Sequence, residues 1–298
     1  MRLPSFIARL IQDPPPRYVF ELSAAGIAAA RNGRPPQIGF QPLEPDVIAV
    51  SPVRDNVLRP DVLLAKVKEL APQNEKKPQR AVLILPDFSV RVSVLDFDAF
   101  PSDPAQQLSL VKFRIKKSLP FDLDSACVSY YPQPNGAHGK SRDVVVAVTP
   151  LEILARYEAP FRAAGFHPGL VTTSALCALE LVKDAGVSVL VKVSGHTLTL
   201  AVTRDGTLKL LRTLEVADGS AAEIASHLFP TFAYIEDQLE AKPEKVLLCA
   251  PGSLAGPLSQ ELGNGDGPAI EPLRSRFGVP RPHDAGLLGC LERIEEVA

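Results

Sequence analysis

The sequence contains no tryptophan, one methionine and no apolar run near the ~20 residues that a bilayer-crossing helix requires. The first segment, MRLPSFIARLIQD, interrupts its short apolar stretch with Arg9, so it reads neither as a secretory leader nor as a membrane span. An excess of one charge is also missing. A formal net charge of -2 leaves no global field to draw the chain onto nucleic acid, which calls for a clearly basic domain. The four cysteines, Cys127, Cys177, Cys249 and Cys290, form no C-x-x-C pair and are expected to be reduced and buried as small hydrophobes. The five histidines lack the i, i+4 spacing and the cysteine partners of a zinc site, so no metal centre is expected.

What is present is apolar material. At 46% hydrophobic residues over 298 positions, the chain can bury one large core or two modest ones. Leu3, Phe6, Ile7, Leu10 and Ile11 recur at helical spacing, which marks residues 1–16 as an amphipathic segment that packs on the protein, on a partner or on a membrane surface.

The second half is the easier to parse. Val187 to Lys192, Thr197 to Thr203 and Leu208 to Val216 are β-branched runs joined by the Ser194-Gly195 and Asp205-Gly206 turn signals, which predicts a three-stranded meander. Ser220 with Glu223 is a capping box opening a helix to about Leu239. The strand Val246 to Ala250, a short helix, a strand near Pro268 to Leu273 and a helix from Asp284 complete the half.

The first half repeats this order, with strands Tyr18 to Leu22, Gly26 to Arg31 and Ile38 to Leu43, a helix from Asp61 to Leu70 and a strand Arg80 to Pro86. The pattern then changes. Residues 87–142 read as an insertion, with an alternating strand from Val90 and a helix capped by Asp103 and Gln106. The lobe core is expected to resume at the strand Val144 to Val148, followed by a helix capped by Thr149 and ended by Gly165. The expected architecture is α/β and actin-like: two duplicated ribonuclease-H-like lobes, 17–186 and 187–298, with a small α+β insertion in the first and a shortened second lobe. A fold of this kind does not choose among scaffold, ATPase and kinase.

The segment VLILPDFSVRVSVLDFDAFPSDPAQQLSLVKFRIKKSLPFDLDSACVSYYP resembles the PilM family of type IV pilus platform proteins. Leu119-Pro120-Phe121-Asp122-Leu123-Asp124 matches that family's "I-P-F-x-x-[DE]" element, and Ser129-Tyr130 stands where a "D-Y" strand follows. DVVVAVTPLEILARYEAPFRAAGFHPGLVTTSALCAL and DAGLLGCLERI are similar to later stretches of the family, and the cytoplasmic part of GspL-type secretion proteins is a related resemblance.

The departures fall where such a fold holds nucleotide, between two hairpins whose turns present backbone N–H groups to phosphates. The first hairpin reads Glu21-Leu22-Ser23-Ala24-Ala25-Gly26, keeping the acid and the small residues but losing the first glycine of the family's "[DE]-[IL]-G-x-x-S". The second reads Lys192-Val193-Ser194-Gly195-His196-Thr197 against "D-I-G-x-x-x-T", with a cation where the metal-managing carboxylate belongs. The adenosine turn "L-x-G-G" retains Gly252 alone. A retained nucleotide would touch Glu21, Ser23, Ala24, Lys192, Ser194, Gly195 and Gly252.

The resemblance implies a cytoplasmic scaffold, peripheral at the inner membrane, that docks the N-terminal tail of a PilN-like protein with Pro120 and Phe121 in the wall of the groove. Phe121 anchoring the insertion to its lobe is the competing role for that ring. No catalytic residue, no metal and no cofactor are expected. ATP binding without hydrolysis, and an active ATPase or kinase with divergent loops, stay open beside it. Lys112, Arg114, Lys116 and Lys117 concentrate charge on the insertion helix, either as a solvated face or as a contact for anionic lipid or an acidic tail.

Overall fold

The structure, a computed structural model, describes residues 15–73, 75, 77–134, 141–263 and 267–297. Residues 1–14 of the amphipathic segment, the loop 135–140 and residues 264–266 lie outside the described residues.

Two five-stranded sheets carry the two lobes, and their strand orders are the same. In the first, β1 (Tyr18–Ser23), β2 (Gly26–Arg31), β3 (Gln37–Pro42), β4 (Gln79–Leu85) and β8 (Phe166–Thr173) lie in the order β3-β2-β1-β4-β8. In the second, β9 (Val187–Ser194), β10 (Thr197–Arg204), β11 (Thr207–Glu215), β12 (Lys245–Cys249) and β13 (Ala269–Pro272) lie in the order β11-β10-β9-β12-β13. Each sheet is an antiparallel meander extended by two parallel strands. The expected duplication is therefore present strand for strand. β1 and β9, central in their sheets, are buried along nearly their whole length, as strands covered on both faces are, and their apolar runs are broken by the buried Glu21 and Lys192.

The helices fill three layers. On one side of the first sheet, α1 (Pro60–Leu70) and α3 (Leu151–Ala163) bury Leu63, Val67, Tyr157 and Phe161 against Phe20 and Phe166. On the far side of the second sheet, α5 (Ala221–Leu239) and α6 (Ala255–Glu261) bury Ile224, Leu228 and Leu258. Between the sheets, α4 (Ser174–Ala178) and α7 (Ala285–Val297) form one core with Val19 and Ile84 from the first sheet and Leu190 and Leu247 from the second. Although α7 belongs to the second half of the sequence, it closes the first lobe. A Cβ on Gly289 would stand 2.1 Å from the Cys177 carbonyl oxygen, and one on Gly286 would stand 2.8 Å from Ser174, so two glycines on one helix face permit this approach.

The insertion forms its own three-stranded antiparallel sheet, β5-β7-β6, from β5 (Arg91–Phe97), β6 (Ala126–Pro132) and β7 (Arg142–Pro150), with α2 (Pro104–Ile115) across it. This corrects the expected boundary at 142. β7 is the middle strand of the insertion, not a strand of the lobe core, and its alternation of Val144, Val146 and Val148 toward the α2 side is that of an antiparallel sheet with one buried face. The insertion also touches the second lobe, where the Gln133 amide donates to Leu208 O at 2.7 Å and accepts from Leu208 N at 2.9 Å.

The capping boxes behave as their chemistry requires: Asp103 accepts from Gln106 N at 2.9 Å and Ser220 from Glu223 N at 3.3 Å. Thr149 does not cap α3. Its hydroxyl donates to Ser89 O at 3.1 Å, and Pro150 takes the cap position. All four cysteines are free, with Cys127 half-buried and the other three buried. No helix among the described residues is long and apolar enough to cross a membrane.

Candidate functional site: the seam between the lobes

Glu21 and Lys192 occupy the same place in the two repeats. Each is the third residue from the end of its lobe's central strand, just ahead of the hairpin that the fold uses for phosphate. Across the seam the acid of one lobe feels the ammonium of the other.

A third residue completes the cluster. β4 ends in Pro86, and the single 3-10 turn Asp87–Ser89 swings the Asp87 carboxylate into the seam. Asp87 Oδ2 accepts from Lys192 Nζ at 3.1 Å and from Thr199 Oγ1 at 3.1 Å. Its Oδ1 accepts from Ala175 N at 2.6 Å, in the first turn of α4. Glu21 Oε2 accepts from Leu287 N at 2.6 Å, in the first turn of α7, and Ser174 donates to the other oxygen. The carboxylates thus satisfy N–H groups that helix starts leave without intrahelical partners, and meet the positive ends of two helices. The Lys192 and Asp87 side chains are only 3% and 2% exposed, so the whole arrangement is dry.

The electrostatics follow from two acids and one cation in that setting. Burial pushes the Glu21 carboxyl up to about 7, against the pull of Lys192. Burial alone would lower the Lys192 ammonium, but Asp87 and Glu21 beside it outweigh that and hold it above its ordinary range. With a proton on Glu21 the cluster is electroneutral, the arrangement a low-dielectric site favours. Cys249, also near Lys192, is no nucleophile here, because burial pushes its thiol up to about 12.

Of the residues expected at a nucleotide, only Glu21 and Lys192 are drawn into this cluster. Ser23 exchanges hydrogen bonds of 3.2 Å with the Gly26 backbone and closes its own hairpin turn. Ala24, Gly195 and Gly252 are exposed in their turns and Ser194 is half-exposed. Sequence reasoning missed Asp87, Ser174 and Thr199. Asp87 directly follows the proline-bearing strand, a visible signal, but its partner Lys192 lies 105 residues further on.

Pro120 is exposed after the α2 C-terminus, and Phe121 packs half-buried against the insertion's own core around Val111, Ile115 and Val146. A cavity of about 160 Å³ lies elsewhere, lined by Pro16, Val82, Leu176, Cys177, Cys290 and Glu180 among others. Burial raises the Glu180 carboxyl to about 7.

Duplicated sheets of one strand order meeting across a helical seam define an actin-like fold, as the sequence led us to expect. Solved structures agree. The chain superposes on a structure of the PilM-PilN type IV pilus biogenesis complex with a TM-score of 0.72 at 18% identity, covering 94% of this chain and 99% of that one. A Bacteroides thetaiotaomicron protein with an actin-like ATPase fold and unknown function gives 0.54 at 13% identity, covering 92% and 96%. The cytoplasmic domain of EpsL, an inner membrane component of the type II secretion system of Vibrio cholerae, gives 0.54 at 14%, covering 94% of each chain. At these identities the likeness establishes the actin-like fold, along nearly the whole chain. No family model matches the sequence, and no curated protein does.

Proposed function

We propose that this protein is a PilM-like docking platform of a type IV pilus or related secretion machine, held at the cytoplasmic face of the inner membrane by gripping the N-terminal tail of a PilN-like protein, and that it works without hydrolysing ATP. The observation that carries the second half is the ion pair between Lys192 and Asp87. Mg²⁺ takes oxygen ligands in near-octahedral geometry and brings water with it. At this seam the carboxylates already hold an ammonium, two hydroxyls and two backbone N–H groups, so the residues present do not fit a magnesium ion.

The platform half draws support from the likeness to a structure of a PilM-PilN complex over 94% of this chain. An extended tail lying in a groove gains backbone hydrogen bonds and side-chain pockets, the usual economy of peptide recognition. In this reading Pro120 and Phe121 form part of the wall. The likeness to the EpsL cytoplasmic domain extends the same architecture to secretion, and the choice of peptide separates the two machines.

The test is a calorimetric titration of the full chain with a peptide copying the cytoplasmic tail of the PilN-like protein from the same organism, run with and without Mg-ATP. Saturable binding that ignores ATP is expected, together with a melting temperature that millimolar Mg-ATP does not raise. Absence of binding in both conditions removes the platform. Turnover of ATP, altered by Lys192→Asp, would establish an ATPase instead.

A further inference from the structure

Helix α2 buries Val111 and Ile115 against the insertion's sheet. At about 100° per residue, Phe113 stands about 200° around the helix from each of them, on the side facing away from the protein. Phe113 is 76% exposed, more than any other large hydrophobic residue described. Ser109 shares that crest one turn before it, Lys112 and Arg114 stand on its flanks, and the exposed Lys116 and Lys117 follow directly in the 3-10 turn Lys116–Ser118 that continues α2. Four of the six residues from 112 to 117 are cationic in a chain whose net charge is -2, so the charge belongs to this place and not to the whole.

The cations are not spent on the protein. Arg114 lies over the Phe97 ring at 5.4 Å and donates to Asp96 O at 3.4 Å, but Lys112, Lys116 and Lys117 make no ion pair among the described residues. The carboxylates that follow belong to the next turn, where Asp122 accepts from Asp124 N at 3.2 Å.

We propose that this crest is a membrane-contact surface for an anionic bilayer, with Phe113 seated at the boundary between headgroups and acyl chains and the lysines laid along the phosphates. A single ring on the outer side of a helix suits a plane that it can enter. Lysines on either side of it can run their apolar stems beside the ring and leave their ammonium groups at headgroup level. An acidic protein segment would use the charges and leave the ring without a role. Pro120 and Phe121 follow within a few residues, so a tail docked there would enter from the same side. That last point rests on the proposed function, whereas the lipid contact does not.

The experiment is co-sedimentation of the full chain with vesicles of phosphatidylcholine alone and with phosphatidylglycerol added, at low and high salt, with no partner peptide present. The wild type is expected on the phosphatidylglycerol vesicles at low salt and released at high salt. Each lysine near an anionic surface accounts for about a fivefold factor in affinity, so Lys116→Gln with Lys117→Gln should weaken binding about 25-fold. Phe113→Ser should weaken it several-fold while leaving the melting temperature unchanged, since the ring packs against nothing that the fold needs. Equal binding to both vesicle types overturns the proposal. So does anionic binding that neither variant weakens, which would move the contact elsewhere on the chain. Equally tight binding to soluble polyglutamate that Phe113→Ser leaves intact would assign the crest to an acidic protein.

Discussion

Lys192 and Asp87, 105 residues apart in sequence, join the two lobes through a 3.1 Å ion pair that solvent does not reach. The pair's value as a joint depends on both members. Breaking a buried pair by deleting one partner strands the other as an uncompensated charge, at a cost of about 3–5 kcal/mol. Lys192→Met should therefore destabilise the protein by that amount in urea unfolding. Lys192→Met combined with Asp87→Asn should cost clearly less than the sum of the two single variants, because the stranded charge is gone. Additive losses would mean that the two side chains are neighbours without being coupled.

The same cluster sets a pH dependence. The Glu21 carboxyl is raised from the usual 4.5 to about 7 by burial, with Lys192, the Ser174 hydroxyl and Leu287 N–H pulling it down and Asp87 pushing it up. A folded value above the unfolded one means that the native state binds the proton more tightly, so this contribution is full below 4.5 and is lost as pH rises through about 7. The difference corresponds to about 3 kcal/mol across that window. Glu180, raised in the same direction by burial in its cavity, adds to the slope. Urea unfolding of Glu21→Gln should show a flatter decline over the same interval, and a wild type whose stability rises through it would contradict the assignment.

Two glycines separate close approach from backbone conformation. At Gly289 an added methyl would meet the Cys177 carbonyl at 2.1 Å, so Gly289→Ala must push α7 off α4 and should cost about 3 kcal/mol or more, with loss of the Leu287 N–H bond to Glu21. At Gly195 there is open space but φ is +58°, so Gly195→Ala should cost only the left-handed penalty of about 1–2 kcal/mol. Thermal unfolding of both variants ranks them. The reverse order would mean that α7 shifts freely, and that the seam is looser than its hydrogen bonds imply.

Most of the fold was legible because its signals are local. Ser194-Gly195, Asp205-Gly206 and Ser220 with Glu223 punctuate the chain wherever the structure turns or starts a helix, and the duplication followed from their order. The errors came where local signals are mute. The alternation of Val144 to Val148 marks a strand but not which sheet receives it, and β7 went to the insertion. Thr149 had the composition of a cap, yet its hydroxyl found Ser89 O across the insertion boundary. Lys192 was visible as a departure from a motif, while the carboxylate that explains it came from a strand end in the other half. A buried ion pair between lobes has no period and no spacing, so only the folded chain reveals it.

The two residues expected in the wall of a docking groove can be told apart, because Pro120 is exposed and Phe121 is half-buried. Phe121 packs on the insertion's core, so Phe121→Ala should lower stability by about 1–2 kcal/mol whether or not a peptide touches the ring. Weakened tail binding in that variant alone would therefore be ambiguous. Pro120 is exposed and belongs to no buried cluster, so Pro120→Ala should lower stability by at most about 1 kcal/mol, through the freer unfolded chain. If the wall of the groove runs through this element, Pro120→Ala weakens the tail peptide several-fold by losing both an apolar contact and a fixed backbone angle. Calorimetry on both variants beside their melting curves decides the point. Tail affinity unchanged in Pro120→Ala and Phe121→Ala alike would confine Phe121 to anchoring the insertion and place the docking groove on another face.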